Sequence, residues 1–294
     1  MPRVSALHIY PLKSGRRLSP ATARVEPWGL AGDRRWMLVD AEGRFVSQRD
    51  LPRLALVRAE PLPGGLLPGG LLLDAPGAVP LRVEAPTAER GDPLADVHVW
   101  GTPLQAAEAA KEAHSWFTSL FGTDLRLVHL DDPRRRPTDP EYAPGETVSL
   151  ADGYPLLLTS TASLADLNAR IAADHPDDPQ RGAALPMTRF RPNLVVEGGE
   201  PWAEDGWRRI QVGEVVFRVV KPCGRCVVTT TDQETATRGV EPLPALGRHR
   251  RFGKRLVFGQ HLVPEHPDGD LVGTLRIGDP VTVLEQGPRP LPRG

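Results

Sequence analysis

Val219-Val220-Lys221-Pro222-Cys223-Gly224-Arg225-Cys226-Val227-Val228-Thr229-Thr230-Thr231-Asp232 holds both cysteines of this 294-residue chain. The run before the first cysteine, Glu214-Val215-Val216-Phe217-Arg218-Val219-Val220, is rich in β-branched residues, as is Val227 to Thr231 after the second. Both read as strands. The cysteine pair is therefore predicted at the tip of a strand–turn–strand unit, in a β-rich fold. Lys221 and Arg225 flank the thiols, and neighbouring cations favour the thiolate, the form that attacks or binds metal.

Four readings of the pair follow. A thioredoxin-like dithiol needs its first cysteine at a helix N-terminus, and the strand-like flanks argue against that. A structural zinc site needs four ligands; there is no second cysteine pair, and His249, His261 and His266 lack finger spacing. One cysteine can instead ligate a soft, high-valent metal centre in an electropositive pocket. Inert core thiols are the fourth reading; Lys221 and Arg225 weigh against it, least so for Cys223.

Composition bounds the rest. Hydrophobic content of 40% and charged content of 25% are those of an ordinary globular protein, and the length fits two domains. A formal net charge of -1 gives no global attraction for nucleic acid or anionic membrane. No apolar run is long enough to span a bilayer, and Met1 to Tyr10 lacks the apolar core of a signal peptide. A cytoplasmic protein with reduced thiols and no membrane anchor is expected.

Short strands dominate the first part: Val4 to Tyr10, Arg35 to Asp40 (turning into Phe45-Val46), Leu54 to Glu60, Gly70 to Asp74, Leu81 to Glu84 and Asp96 to Trp100. Such closely spaced strands suggest a barrel or a strongly bent sheet. Between Pro103 and Phe121, Ala106, Ala109, Ala110, Ala113, Trp116, Phe117 and Leu120 recur at helical spacing, with Gly122 as a stop. Farther on, Pro155 to Thr159 reads as a buried strand leading into a helix. Ser163 and Asp166 form a capping box there, and Leu164, Leu167 and Ile171 an apolar stripe. The start of that helix is a place to hold a phosphate. Arg276 to Leu284 reads as a closing strand pair. The fold class is mixed α/β and mostly β: a β-barrel-like domain over residues 1–124, then a second β-barrel domain with flanking helices over residues 125–294.

These residues carry a resemblance. Tyr10-Pro11-Leu12-Lys13-Ser14, Gly32-Asp33-Arg34-Arg35-Trp36, Ser160 to Asn168, Arg189-Phe190-Arg191-Pro192-Asn193, Lys221 to Thr230, Glu241-Pro242-Leu243, Phe258-Gly259-Gln260 and Gly278-Asp279-Pro280-Val281 occur in an order and spacing that resembles the MOSC family of molybdenum-cofactor proteins. The closer likeness is to the two-part subgroup that includes the amidoxime-reducing components. Ser47-Gln48-Arg49 matches only loosely. The resemblance implies a MOSC N-terminal β-barrel domain followed by a MOSC domain. It implies Cys226 as metal ligand and catalytic centre, with Cys223 not the ligand. It also implies a molybdenum–pterin cofactor held by Lys13, Ser14, Arg34, Ser160, Arg191, Asn193, Gly224 and Arg225. Lys and Arg suit an anionic pterin phosphate and oxo-metal centre.

Two positions depart from the pattern. Gly224 stands where many relatives have Ser, and His261 where they often carry an aromatic; for His261, filling space is the favoured role over donating protons.

The activity implied is reduction of small N-hydroxylated or N-oxygenated compounds. Electrons would come from a separate protein, because no flavin, haem or Fe–S signature is present, and pyridoxal phosphate is not expected. Two other classes stand beside it: a carrier of the cofactor or of a persulfide without turnover, and a plain dithiol reductase.

Overall fold

The computed structural model describes residues 1–62, 69–265 and 271–289; His266 and residues 290–294 of the Pro/Arg-rich tail lie outside them. The fold is mixed α/β and mostly β. Its largest sheet has eight strands and curls into a half-barrel. Across it run Arg3–Leu7, Leu194–Glu197, Leu156–Ser160, Arg255–Pro264, Val215–Gly224, Trp207–Val212 and Val281–Gln286, with Arg251–Phe252 paired to Arg255–Pro264 at the side.

The N-terminal strand thus forms one edge of a sheet otherwise made by the second half of the chain. Thr22–Glu26 likewise pairs with Gly273–Arg276. Conversely, Arg126–His129 pairs with Trp36–Val39 and Thr102–Glu108 in a four-stranded sheet closed by Leu94–Val99. The expected division at residue 124 therefore falls just before a strand that completes the first part's sheet. Strands Arg58–Pro61, Leu71–Asp74 and Leu81–Val83 make a smaller sheet.

Leu156–Ser160 is buried at every residue, as its unbroken apolar run implies for a central strand covered on both faces. It pairs parallel to Leu194–Glu197 and antiparallel to Arg255–Pro264. Helix α1 (Lys111–Phe121) ends at Gly122 in the left-handed conformation, the stop expected there. Helix α2 (Thr161–Asp174) buries Leu167 and Ile171 against Phe190, Phe258 and the short helix α3 (Leu243–His249).

Several local expectations are corrected. Leu54 to Glu60 is not one strand. Pro52 opens a 3-10 turn, Pro52–Leu56, because its fixed φ suits a first turn that needs no N–H from it; only Arg58–Pro61 is extended. The helix expected from Pro103 begins later, at Lys111. Thr102–Glu108 is instead a strand, hydrogen-bonded along the whole of Leu94–Val99. Alanine is tolerated in either state, and there hairpin pairing overrides helical spacing.

Val227–Thr230 is a 3-10 turn, not a strand. The hydroxyl of Thr229 donates to the carbonyl of Cys226, and that of Thr230 to Val227, both at 2.8 Å. Such local bonds offer the backbone an alternative to a ladder. The strand that returns beside the cysteines is Arg255–Pro264, with Gly224 opposite Val257.

Ser163 and Asp166 do not cap α2, which has no side-chain cap bond. Ser163 instead donates to Glu204 at 2.7 Å and accepts from the Trp202 amide, and Asp166 accepts from the Trp202 indole. The proposed closing pair near the end is two strands with different partners, Thr22–Glu26 and Trp207–Val212.

Candidate functional site

Lys13, Ser14, Arg34, Arg191, Asn193, Gly224, Arg225 and Cys226 line one pocket. They come from three places brought together by the sheet: the turns after the first strand, the loop before Leu194, and the end of Val215–Gly224.

Backbone strain gathers there. Among the described residues six non-glycines have left-handed φ, and three of them are Ser14 (68°), Arg34 (46°) and Arg191 (51°). Such conformations cost on the order of 1–3 kcal/mol each and persist where the surroundings over-determine them.

The surroundings do so through Tyr10. Its ring is buried, and the guanidiniums of Arg34 and Arg191 each lie 4.2 Å from its centroid. Its hydroxyl donates to the Pro192 carbonyl at 3.1 Å. Asp33, fully buried, accepts from the Tyr10 amide at 2.7 Å and pairs with Arg34 at 2.5 Å. Asn193 Oδ1 accepts from Arg34 (2.9 Å) and the Leu157 amide (3.2 Å), while Nδ2 donates to the His8 carbonyl (3.1 Å). Asn193 is thus a tie between strands that aims Arg34. Arg191 donates to the Gly15 carbonyl and Gln233 Oε1. Burial, aided by nearby Arg34, pushes its guanidinium down to about 10.

Lys13 is 5% exposed and donates to the Leu150 carbonyl (2.8 Å) and Asp152 (2.6 Å). Burial pushes its ammonium down to about 8 against the pull of Asp152. Such a group gains from a further anion.

The two thiols differ. Cys223 is buried and accepts from Arg225 Nη1 at 2.8 Å. Burial alone would raise its thiol; Arg225 and His261 outweigh that and bring it down to about 6. Cys226 is half-buried, caps the 3-10 turn, and accepts from Arg49 Nη2 at 2.9 Å. A Cβ at Gly224 would meet only side-chain carbons of Arg255, at 3.9 Å, so a serine would fit there.

Ser160 is not brought to the pocket. Leu157 of the same strand lines it, and Ser160, three residues on, faces the other way by the period of two. It is buried at the start of α2. Sequence reasoning also passed over Asp152, Phe45, Tyr154 and the part played by Arg49. Asp152 sits in a polar turn with no motif to mark it, and Arg49 in the loosely matching Ser47-Gln48-Arg49.

The lining holds five cationic side chains (Lys13, Arg34, Arg49, Arg191, Arg225) against one carboxylate, Asp152. Among the described residues Arg225 Nε, Tyr154 Oη and His261 Nδ1, all on lining residues, are buried without a hydrogen-bond partner, which is costly unless something answers them. Excess cation, free donors and a thiol together fit an anionic group with an attached soft metal.

The architecture and this pocket define a two-part β protein built around an anion site beside a cysteine. Residues 1–124 match the MOSC N-terminal beta barrel domain and residues 145–282 the MOSC domain. The chain belongs to the MOSC family, and within it to the amidoxime-reducing component type. It is 31% identical to human mitochondrial amidoxime-reducing component 1 over 96% of this chain and 83% of that protein. It is 32% identical to the mouse counterpart over 96% of this chain and 82% of that one. A zebrafish molybdenum cofactor sulfurase is 31% identical over 94% of this chain but 33% of its own length. A molybdenum-cofactor-associated function goes with this membership. Among the described residues no helix is long and apolar enough to cross a membrane. The relatives' names say mitochondrial, which does not go with the cytoplasmic expectation.

Proposed function

We propose that the chain is a molybdenum-cofactor-dependent oxidoreductase that reduces small N-hydroxylated or N-oxygenated compounds with electrons from a separate redox protein. The observation that carries this is the convergence of Lys13, Arg34, Arg191 and Arg225 on one pocket with Cys226. The names of the amidoxime-reducing relatives point the same way.

Lys13, Ser14, Arg34 and Arg191 would hold the pterin and its phosphate, with Asn193 aiming Arg34. Cys226 would ligate the metal, since Cys223 is buried while Cys226 is more open. When bound, the molybdenum–pterin group supplies the two-electron reduction that breaks an N–O bond. Phe45, Tyr154 and Leu157 would shield the thiol from water. His261 Nδ1 is free to hold a proton at the pocket wall. With two cysteines in all, the chain has no ligand set for an Fe–S cluster, so the electrons need an outside donor.

A second reading, a cofactor carrier or persulfide-handling protein, draws on Cys223, whose surroundings favour the thiolate, and on the sulfurase relative. Molybdenum and pterin analysis of protein from a cofactor-competent host, followed by viologen-driven reduction of a model hydroxylamine, separates the cases. Bound cofactor with turnover supports the reductase. Bound cofactor without turnover favours the carrier, and thiol-dependent reduction without metal favours a dithiol enzyme.

A further inference from the structure

Arg49 comes from the first half of the chain and reaches the sulfur of a cysteine in the second. Its Nη2 donates to Cys226 Sγ at 2.9 Å, and its guanidinium stands 4.5 Å from the centroid of the Trp100 ring. The second half also holds the Arg49 backbone: Arg238 Nη2 donates to the carbonyls of Gln48 at 2.7 Å and Arg49 at 2.6 Å.

Trp100 is an unexpected residue for its place. With Gly101 it turns the hairpin between Leu94–Val99 and Thr102–Glu108, and both have left-handed φ, 54° and 81°. Tight hairpins of this kind take Asn, Asp or Gly first; a bulky side chain with positive φ is an outlier. The indole is also 53% exposed. Local preference gives no reason for a tryptophan there, whereas its contacts do. One is the stacked guanidinium. The other is Phe45, which meets the indole edge-on at 5.0 Å and lines the cysteine pocket.

We propose that Arg49, steadied by Trp100, is the outer hydrogen-bond donor to the metal-binding sulfur of Cys226, a positioning residue that sets the reduction potential of the centre. This rests on the reading of Cys226 as ligand. Groups that hydrogen-bond a ligating sulfur tune the metal it holds. A donor draws electron density from the sulfur, and a fixed positive charge favours the more reduced state. Both effects raise the potential, so removing either lowers it.

The test is a redox titration of the holoprotein followed by electron paramagnetic resonance, in wild type, Arg49→Ala, Arg49→Gln and Trp100→Leu. Metal content and metal–sulfur X-ray absorption are recorded on the same samples. Arg49→Ala should shift the one-electron equilibrium toward the oxidised side by about tenfold, which is about 59 mV. Arg49→Gln keeps a donor without the charge and should shift it less, and Trp100→Leu should give a smaller displacement of the same sign. If Arg49→Ala does not load metal, the other two variants carry the comparison. Unchanged or raised potentials with metal–sulfur ligation intact would overturn the role of Arg49. Wild-type protein without metal, or with metal not bound by Cys226, overturns the functional reading and this inference with it.

Discussion

Glu204 offers a test of how the scaffold beneath the site is balanced. Its carboxyl is 1% exposed in the turn Ala203–Gly206. One oxygen accepts from Ser163 at 2.7 Å, and the other has no partner among the described residues. Burial pushes the group up from 4.5 to about 7. Between those values the folded protein keeps a proton that the unfolded chain has released. Stability from this group is therefore fully present below about pH 4.5 and lost as pH rises through about 7. At ~1.36 kcal/mol per pH unit of displacement, the loss is about 3 kcal/mol. Glu204→Gln stays neutral, accepts the same Ser163 hydroxyl, and leaves the same second position without a partner. Urea unfolding of wild type and variant at pH 5 and pH 8 reads the difference, with the other carboxylates cancelling between the two proteins. The variant should exceed wild type by only about 1 kcal/mol at pH 5, where the unfolded chain has begun to release this proton, and by about 3 kcal/mol at pH 8. A difference that does not change with pH would refute the reasoning.

Cofactor retention should depend on cations far apart in the sequence: alanine at Lys13, Arg34 or Arg191 removes charge-assisted bonds of about 1.5–3 kcal/mol and should lower apparent pterin affinity by about tenfold or more. Full pterin content in all three variants after dilution and dialysis would contradict the assignment. The purified holoprotein should not oxidise NADH or NADPH alone yet should reduce an N-hydroxylated compound with reduced viologen; robust NADH-driven turnover by the isolated chain would show a missed cofactor or a wrong function.

Legibility in the sequence followed the range of the forces at work. The unbroken apolar run at Leu156 to Thr159 announced a central strand, because burial on both faces leaves that imprint. The stop of α1 at Gly122 was visible for an equally local reason, the left-handed residue a helix end takes. Where partners lie far apart, local pattern misled. Ala106 fits a helix by spacing, but pairing with Leu94–Val99 decided its region. Val227–Thr230 had strand composition, but threonine hydroxyls turned the backbone. Most proposed site residues meet in one pocket, since the short motifs preserve the contacts that bring them there. Ser160 does not, because a strand's alternation turns it from the face that Leu157 presents. Arg49 and Asp152 escaped notice because their roles come from tertiary neighbours, Cys226 and Lys13, that no local spacing encodes.

The most direct test of the central claim is X-ray absorption at the molybdenum edge on wild type, Cys226→Ser and Cys223→Ser, with turnover measured on the same preparations. The account predicts a protein-derived sulfur ligand that is lost, together with activity, in Cys226→Ser, and that persists with much of the activity in Cys223→Ser. Equal and complete loss in both variants would contradict it and point to a dithiol mechanism.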